Sequence, residues 1–470
     1  MEKVIDEPLA EVKLLREANE ELRRLVQVLR EQLTAATQQI EELNKQLIIA
    51  EERVAEFERS QKKGPSFVKA NKPKNREPKE PRRRRAAEHN HGRKRAEVVT
   101  HRQEHRIEQC PQCECKLRKV QEAWRRQVTD IPLPRPVEVT EHVCFKGYCP
   151  RCGAWHYGEA YEAGEAIGQS RFGARLTAKV GLLSETLRLP YAKIKSYLKM
   201  EYGLAISEGA IADIRRRLAK RLEPVREGLK AQIRSSAIVH ADETGWRENG
   251  QNGYVWVFST PAEQGGICYY HYEKSRAHQV VEEFLGEAFQ GVLVSDFYGA
   301  YNVYRGLHQR CWVHLLRDLH FLKEDHADDE TVQSWARELR ALYDSGVSFV
   351  KTEPQSQEER EQLYLALWNE VGRLGLSYAR EEHPCRALSK RVLRHQDELF
   401  QFVRVAGLAA DNNLAERSLR PLVVTRKISG GTRSSQGSQT RMLLASVFAT
   451  LKARGIEPFQ GCLSLIQTNS

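Results

Sequence analysis

The chain has 470 residues, too many for one ordinary domain, so two to four units are expected. Apolar residues make up 40% and charged residues 29%, which is typical of a globular protein with extended polar parts. The formal net charge of +11 is uneven: residues 1–60 hold nine Lys/Arg against fourteen Asp/Glu, whereas residues 61–100 hold fourteen against four. The apolar runs have only strand length and the N-terminus lacks an apolar core, which excludes a membrane span and a secretory signal. We expect a cytoplasmic protein whose ten cysteines are thiols or metal ligands rather than disulfides.

A heptad pattern runs through the first segment. Fourteen heptad sites lie between Val12 and Phe57, and thirteen of them are apolar, with no Pro or Gly between. Because a seam of this period needs a partner helix, residues 8–60 are predicted to form a coiled coil that makes a homodimer or higher oligomer. The polar site, Asn19, is of the kind that favours a parallel dimer. The alternative is a long helix packed on its own protein.

Residues 61–105 are rich in Pro, Lys and Arg and poor in large apolar side chains. Such a segment cannot bury enough apolar surface to offset the entropy of ordering, so a disordered linker is predicted. Its density of positive charge makes it a candidate contact for a polyanion. A plain soluble spacer is the alternative.

Two C-P-x-C motifs follow, at 110–113 and 149–152. Zinc prefers a tetrahedron of thiolates, and each such knuckle supplies two from a tight turn. We therefore predict a zinc-binding domain over residues 106–160. Its one structural Zn²⁺ would be held by four thiolates: Cys110, Cys113, Cys149 and Cys152. Cys115 and Cys144 are nearby and could replace a ligand, and a redox pair is the alternative chemistry.

Residues 168–225 are predicted to be helical. Within them a helix, a turn at Gly203, an N-cap at Ser207 and a second helix resemble a helix-turn-helix, whose second helix could enter a major groove. Helical hairpins of other functions share this pattern. A DNA-binding domain is expected here.

The pattern changes to strands from residue 236. The segments at 237–246, 254–260 and 266–273 predict three meandering strands, followed by a helix at 276–285 and, within 291–301, a buried strand that ends at Asp296. Another strand at 309–314 and further helices come next. This order is that of the ribonuclease H-like fold, so the chain is predicted to be a multidomain α+β protein with such a core.

Three acids stand where that fold would bring them together. Asp242 ends the first strand, Asp296 ends the fourth, and Glu416 lies on a helix that begins at "DNN", residues 411–413. Mg²⁺ prefers oxygen ligands and keeps open positions for water and phosphate oxygens. Two such ions about 3.5–4 Å apart can activate a nucleophile and stabilise the leaving oxygen of a phosphodiester. On one helical face, Asn412 and Arg420 flank Glu416 and could contact DNA phosphates or orient the ligands.

Several motifs occur in a specific order: the paired knuckles, "DETGW", "VSDFYGAY", "CWVHLLRDL" and "NNLAERSLRPLVVTRKISGGTRS". In these, over essentially its whole length, the chain resembles the DDE transposases of insertion-sequence family sixty-six. The resemblance implies that Asp242, Asp296 and Glu416 form the DDE triad, with two Mg²⁺ (or Mn²⁺) ions as cofactors. It implies a catalytic core at 236–322 and 406–450, a helical insertion at 323–405 and a C-terminal tail at 451–470. Glu114 follows the first knuckle, where Gly is usual in the family.

The expected activity is cleavage at the ends of a mobile element and transfer of the freed strands to target DNA. Basic residues near Glu416 are candidate DNA contacts: Arg417, Arg420, Arg426, Lys427 and Arg433. Glu243 is expected to be structural, and the C-x-x-H of Cys311 and His314 to pack and hydrogen-bond rather than bind metal. Small accessory proteins from the same element are possible partners. The alternatives are a non-catalytic dimeric zinc-ribbon regulator, a decayed transposase, or a simple nuclease.

Overall fold

The computed structural model describes residues 20–39, 98–127, 136–158, 166–167, 170–352 and 355–468, except 22, 37–38, 123–124 and 126. The chain forms two units, Met1–Thr129 and Asp130–Ser470, whose boundary falls inside the predicted zinc-binding domain. Most of the predicted coiled coil (8–60) and basic linker (61–105) lies outside the described residues. Where the first unit is described, residues 23–36 are helical and 98–105 contain neither helix nor strand.

The second unit begins with an antiparallel hairpin and a group of helices. The hairpin strands are β1 (Lys146–Cys149) and β2 (Ala154–Tyr157). The helices are α1 (Ala174–Gly181), α2 (Tyr191–Tyr202) and α3 (Glu208–Arg234), and a π-helical turn, Leu182–Thr186, directly follows α1. Gly203 ends α2 with a φ of 67°, and the Ser207 hydroxyl accepts a hydrogen bond from Ala210 N–H at the start of α3. The predicted helix–turn–helix geometry is therefore present.

A five-stranded mixed sheet follows within residues 238–310, in the order β5-β4-β3-β6-β7. Its strands are β3 (Ile238–Glu248), β4 (Gln251–Ser259), β5 (Cys268–Glu273), β6 (Val292–Ser295) and β7 (His308–Arg310), with α4 (Gln279–Leu285) between β5 and β6. β3, β4 and β5 are antiparallel, and β6 and β7 add to β3 in parallel.

Helices make up most of the remaining chain. They are α5 (Trp312–Asp325), α6 (Glu330–Lys351), α7 (Gln357–Tyr378), α8 (Arg386–Arg394), α9 (Gln396–Leu399), α10 (Gln401–Arg404), α11 (Asn413–Ser429), α12 (Ser435–Ala453) and α13 (Pro458–Thr468). None of the helices in the described ranges is long and apolar enough to cross a bilayer.

Helices cover both faces of the sheet. Ile238, Val292 and Val294 lie in one buried cluster with Trp312 of α5 and Trp335 of α6. The opposite face packs on α3 and α4 through a second cluster. Successive side chains of a strand point to opposite faces, so the even-numbered residues of β3 and β6 share the face of the first cluster. Further along this face, Trp246 of β3 packs in another buried cluster with Ala415 and Leu419 of α11.

Helices also meet the two outer strands. In β5, the N–H groups of Cys268 and Tyr270 donate to Thr450 Oγ1 at 3.1 Å and Ser446 Oγ at 2.8 Å, both on α12. In β7, Gln309 Nε2 donates to the carbonyl of Leu399 at 3.0 Å. These side-chain bonds attach the helices to both outer strands.

Three predicted boundaries are corrected. The strand expected at 309–314 ends at Arg310, and α5 begins at Trp312. Helix α3 runs through the expected division between the helical domain and the core, because Leu229 and Ile233 pack in the sheet core. The expected tail, 451–470, contains α13, whose Cys462 and Ile466 are buried.

Candidate active site

Asp242 and Asp296 stand at matching positions on neighbouring parallel strands. His240 pairs with Val294 across β3 and β6, and each aspartate lies two residues beyond that pair. By the alternation of side chains, both point to the sheet face that carries Ile238 and Val294. Since neighbouring strands are about 4.8 Å apart, the two carboxyl groups lie near each other. Asp296 directly follows β6, as expected, but the prediction that Asp242 ends its strand is wrong, because β3 continues to Glu248 by pairing with β4.

Backbone N–H groups orient both carboxyl groups. Asp242 Oδ1 accepts from Glu243 N–H and Asp296 Oδ1 from Tyr298 N–H, each at 2.9 Å. Burial, together with the charges of Glu243, Asp296 and Glu416, raises the pKa of Asp242 to about 8. Three other carboxyl groups therefore lie within electrostatic range of Asp242.

Glu243 has both oxygens engaged by other side chains. Its Oε1 accepts from Arg276 Nη2 at 2.6 Å and its Oε2 from the Tyr301 hydroxyl at 2.5 Å. The side chain is only 2% exposed, and burial and the charge of Asp296 raise its pKa. These contacts fit the expected structural role of Glu243 better than metal binding.

Asn412 attaches the start of α11 to β3. Its Nδ2 donates to the Ala241 carbonyl at 2.7 Å, and its Oδ1 lies 3.2 Å from His240 Nδ1. Asn412 is buried, so it orients the helix and does not reach DNA. Glu416 N–H donates to the Asn412 carbonyl at 3.2 Å, which places the Glu416 side chain one turn further on the same helical face.

Asp242 and Glu416 line an open cleft of about 480 Å³ between β3 and α11. The other lining residues are Glu243, Thr244, His314, Leu419, Arg420, Val423 and Val424. Asp296 is not among them; it directly follows β6, next to the part of β3 that carries Asp242. The structure thus brings the three predicted acids to one end of the sheet.

His314 faces Glu416 from α5. Its Nδ1 is 3.9 Å from Glu416 Oε1, and both atoms are buried without a hydrogen-bond partner among the described residues. The neighbouring Cys311 accepts from Asn412 N–H at 3.2 Å, and burial raises the pKa of its thiol to about 11. Cys311 is therefore buried and hydrogen-bonded, and His314 places a ring nitrogen at the cleft. The ligand atoms of Cys311, His314 and Glu416 all lie within 4.8 Å of one another, so the expectation that this C-x-x-H does not bind metal stays a prediction. The C-x-x-H spacing was the signal for this contact.

The basic residues predicted to touch DNA divide into two groups. The exposed ones are Arg417, Arg420, Lys427 and Arg433, with Arg420 at the cleft. Arg426 differs, because its Nη1 donates to the Gly245 carbonyl and to the Thr244 hydroxyl of β3. Burial lowers its pKa. Arg426 Nη1 is thus engaged inside the protein, and a DNA contact by this residue stays a prediction.

The two C-P-x-C motifs form the same local turn. Glu114 N–H donates to the Cys110 carbonyl and Gly153 N–H to the Cys149 carbonyl, each at 2.9 Å. Both donors have positive φ, 61° at Glu114 and 66° at Gly153, which explains the preference for glycine there. Hydrogen bonds from backbone N–H groups lower the pKa of the Cys110 and Cys149 thiols, and the thiolate is the form that binds metal.

His156 joins the second motif. Its Nε2 is 3.2 Å from Cys152 Sγ, and the ligand atoms of Cys149, Cys152 and His156 all lie within 4.8 Å of one another. Sulfur and imidazole donors at this spacing suggest a structural zinc. The sequence reasoning considered Cys115 and Cys144 as spare ligands and missed His156, although the C-x-x-C-x-x-x-H spacing signals it.

Comparisons with known proteins agree with these features. A family model described as "Transposase IS66 family" matches residues 169–440, and one described as "zinc-finger binding domain of transposase IS66" matches residues 108–153. The chain is 24% identical over 315 residues to uncharacterized protein y4qI of Sinorhizobium fredii, covering 60% of this chain and 57% of that protein. It is 26% identical over 288 residues to uncharacterized protein y4jD of the same organism, 55% of each chain. The chain therefore spans about half the length of these curated relatives.

Proposed function

Because this chain belongs to the IS66 transposase family, we propose that it cleaves DNA at the ends of its insertion sequence and joins the freed 3′-hydroxyl groups to target DNA. The proposal includes a ribonuclease H-like core at 236–322 and 406–450, with residues 323–405 as a helical insertion. The sheet supports it, since three antiparallel strands are extended by two parallel ones.

One observation carries the proposal: Asp242, Asp296 and Glu416 converge, although 174 positions separate the first from the last. Neighbouring carboxylates repel one another, and a bound proton or a cation relieves that repulsion. Glu416 Oε1, buried and without a hydrogen-bond partner among the described residues, has a free position for one. An all-oxygen donor set of this kind fits Mg²⁺ or Mn²⁺.

The roles of the chain's own residues follow from their contacts. Asp242, Asp296 and Glu416 would hold two Mg²⁺ or Mn²⁺ ions. Such ions, when bound, favour deprotonation of the attacking hydroxyl and stabilise the charge on the leaving oxygen. Asn412 keeps Glu416 on the correct face of α11, and the exposed Arg420 at the cleft would hold a phosphate of the DNA backbone.

Other parts of the chain would bind DNA and assemble the complex. Arg216, Arg217 and Lys220 are exposed on α3, the second helix of the helix-turn-helix-like hairpin. The zinc-binding domain, 106–160, would hold its fold through one structural Zn²⁺. The heptads of 8–60 would join two copies, so that two element ends can be held together, and accessory proteins of the element are possible further partners.

A strand-transfer assay with Mg²⁺ tests the proposal. Labelled DNA carrying the repeats that flank the reading frame is incubated with the full chain or with Asp296→Asn. We expect joined products from the wild type and a loss of at least about 1,000-fold in the variant, because the metal site supplies several kcal/mol to the transition state. DNA that is bound but uncut by both proteins would favour a non-catalytic regulator, and equal cleavage by both would refute the triad.

A further inference from the structure

Arg310, the last residue of β7, is a fully buried cation next to Asp296. Its side chain is 0% exposed, and its guanidinium donates hydrogen bonds in three directions. Nη1 donates to the main-chain carbonyl of Asp296 at 2.8 Å and Nη2 to Asn302 Oδ1 at 2.5 Å. Nε donates to Glu398 Oε2 at 2.5 Å.

The bond to Asp296 matters because this residue stands beyond the end of a short strand. β6 has four residues and pairs with β7 up to Ser295, opposite Arg310. The Asp296 carbonyl is held by Arg310 Nη1 and by the Ser295 hydroxyl, which donates to it at 2.8 Å. These side-chain bonds, rather than sheet pairing, hold the peptide group from which the Asp296 side chain extends.

Glu398, which accepts the hydrogen bond from Arg310 Nε, belongs to the helical segment. We define the helical segment as residues 330–404, which contain α6 to α10. Glu398 lies on α9 and also accepts from His395 Nδ1 at 2.8 Å. Burial alone would raise the pKa of Glu398, but the hydrogen bond from His395 and the charge of Arg310 outweigh it and hold the pKa well below its usual range. Glu398 is therefore a permanent anion that fixes the Arg310 guanidinium.

We propose that Arg310 and Glu398 are positioning residues, through which the helical segment sets the Asp296 carboxyl group for metal binding. This inference rests on the proposed role of Asp296 as a metal ligand. It gives the helical segment a part in the chemistry, although none of its residues lines the cleft. Groups that orient metal ligands commonly change metal affinity when they are replaced.

Manganese binding to the full chain, followed by electron paramagnetic resonance, tests the inference without a DNA substrate. The variants are Glu398→Gln, Arg310→Lys and, as the reference for the site, Asp296→Asn. Glu361→Gln is the matched control, because Glu361 accepts from Arg404 Nε at 2.8 Å in the same helical segment but away from Asp296. Thermal unfolding is measured for each, and binding is compared at a temperature where all are folded.

We expect Glu398→Gln and Arg310→Lys to weaken Mn²⁺ binding by about 10-fold or more, the loss typical of such supporting groups, while Glu361→Gln binds like the wild type. A merely structural role would lower the melting temperature of the first two variants but leave the Mn²⁺ affinity of the folded protein unchanged, and this result would overturn the inference. If Glu398→Gln does not fold, the Mn²⁺ affinity of Arg310→Lys tests the inference alone, because this variant keeps the buried positive charge. If the wild type and Asp296→Asn bind Mn²⁺ equally well, Asp296 is not a metal ligand, and both this inference and the proposed function are refuted.

Discussion

Asn412 shows how one buried amide places a charged group a turn away. Both of its side-chain heteroatoms are engaged by β3, at Ala241 and His240, and its N–H donates to Cys311 Sγ. Burial lowers the pKa of His240 to about 4, so the ring is neutral and can donate from Nδ1 to the amide oxygen. The position of Glu416 relative to Asp242 therefore depends on a side chain that cannot reach the substrate.

Replacing this amide tests that dependence. Asn412→Ala leaves the Ala241 carbonyl and His240 Nδ1 buried without their partner, which costs about 1–3 kcal/mol of unfolding free energy. A shift of Glu416 by about 1 Å would lower the strand-transfer rate about 100-fold. Asn413→Ala is the control, because that side chain makes no hydrogen bond in the part of the chain that the structure describes. Unfolding in urea and the strand-transfer rate are the measurements, and equal rates for the two variants would contradict the role.

At the scale of residues, the sequence predicted the acids better than their supports. Asp242 and Asp296 each follow a short run of apolar residues typical of a strand, and neighbouring strands of one sheet lie close together, so their proximity could be predicted. The partners of Asn412 on β3 and the bond from Arg310 to Glu398 could not be predicted, because these bonds join segments far apart in the chain whose register only the folded packing determines. His314 was noticed through its spacing from Cys311, but nothing in the sequence shows which ring nitrogen faces Glu416.

At the scale of elements, a buried ionic group joins the helical hairpin to the core. Glu185 lies in the π-helical turn, 2% exposed, and forms ion pairs with Arg215 of α3 at 2.5 Å and Arg441 of α12 at 2.9 Å. Arg215 also donates to the Ser184 hydroxyl at 3.1 Å. The π-helical turn thus places one carboxylate where two other helices each supply a guanidinium.

Glu185→Gln should destabilise the protein strongly. Removing the acid leaves two buried guanidinium groups without a counter-charge, and breaking such a pair costs about 3–5 kcal/mol. Asp213→Asn is the control, since Asp213 pairs with Arg217 on the exposed side of α3 and exposed pairs contribute only about 0–1 kcal/mol. Free energies of unfolding in urea at pH 7 compare the two; similar losses would show that the buried group does not join the helices.

The stability lost in Glu185→Gln should depend on pH. Burial alone would raise the pKa of Glu185, but the charges of Arg441 and Arg215 outweigh it and lower the pKa. A carboxyl with a lowered folded-state pKa adds stability above its unfolded pKa, 4.5, and loses it as the pH falls through the folded value. The gap between wild type and Glu185→Gln should therefore be widest near pH 7 and narrow below about pH 4.

Element boundaries were harder to predict than element types. The apolar run "CWV" at 311–313 reads as a strand, but Trp312, Leu315 and Leu319 are spaced for one helical face and are all buried. The helical domain was expected to end at residue 225, yet α3 continues through Pro224 to Arg234, because burial of Leu229 and Ile233 outweighs the hydrogen bond lost at the proline. Tertiary packing overrode the local signal in both cases.

At the scale of the whole molecule, the described N-terminal helix exposes its apolar seam. Val26, Leu29 and Leu33 are heptad sites, and their exposed fractions are 45%, 54% and 68%. Exposure of this extent in one copy fits the prediction that a second helix covers the seam. Most of the remaining heptad sites lie outside the described residues.

Two acidic substitutions in the apolar seam test the predicted coiled coil. The double substitution Leu29→Asp, Leu33→Asp should convert the dimer or higher oligomer into monomers, because a coiled coil cannot bury facing carboxylates. Light scattering after size-exclusion chromatography measures the mass, and Gln27→Asp, outside the seam, is the control. We expect the double variant to bind single element ends but not to hold two together. An unchanged mass would show that other surfaces assemble the protein.

The two outer strands of the sheet limit how copies of this chain can meet. An unpaired strand edge is a template for strands of other chains, and proteins with open edges tend to aggregate or exchange strands. Ser446 and Thr450 already accept the N–H groups that β5 would offer a neighbour, and Gln309 holds helix α9 beside β7. In the proposed complex on two DNA ends, neighbouring copies would therefore be protected from pairing their sheets, and a peptide inhibitor that adds a strand would find little backbone to bind. Contacts between copies of the chain would then be made by helices and charged surfaces rather than by strand pairing.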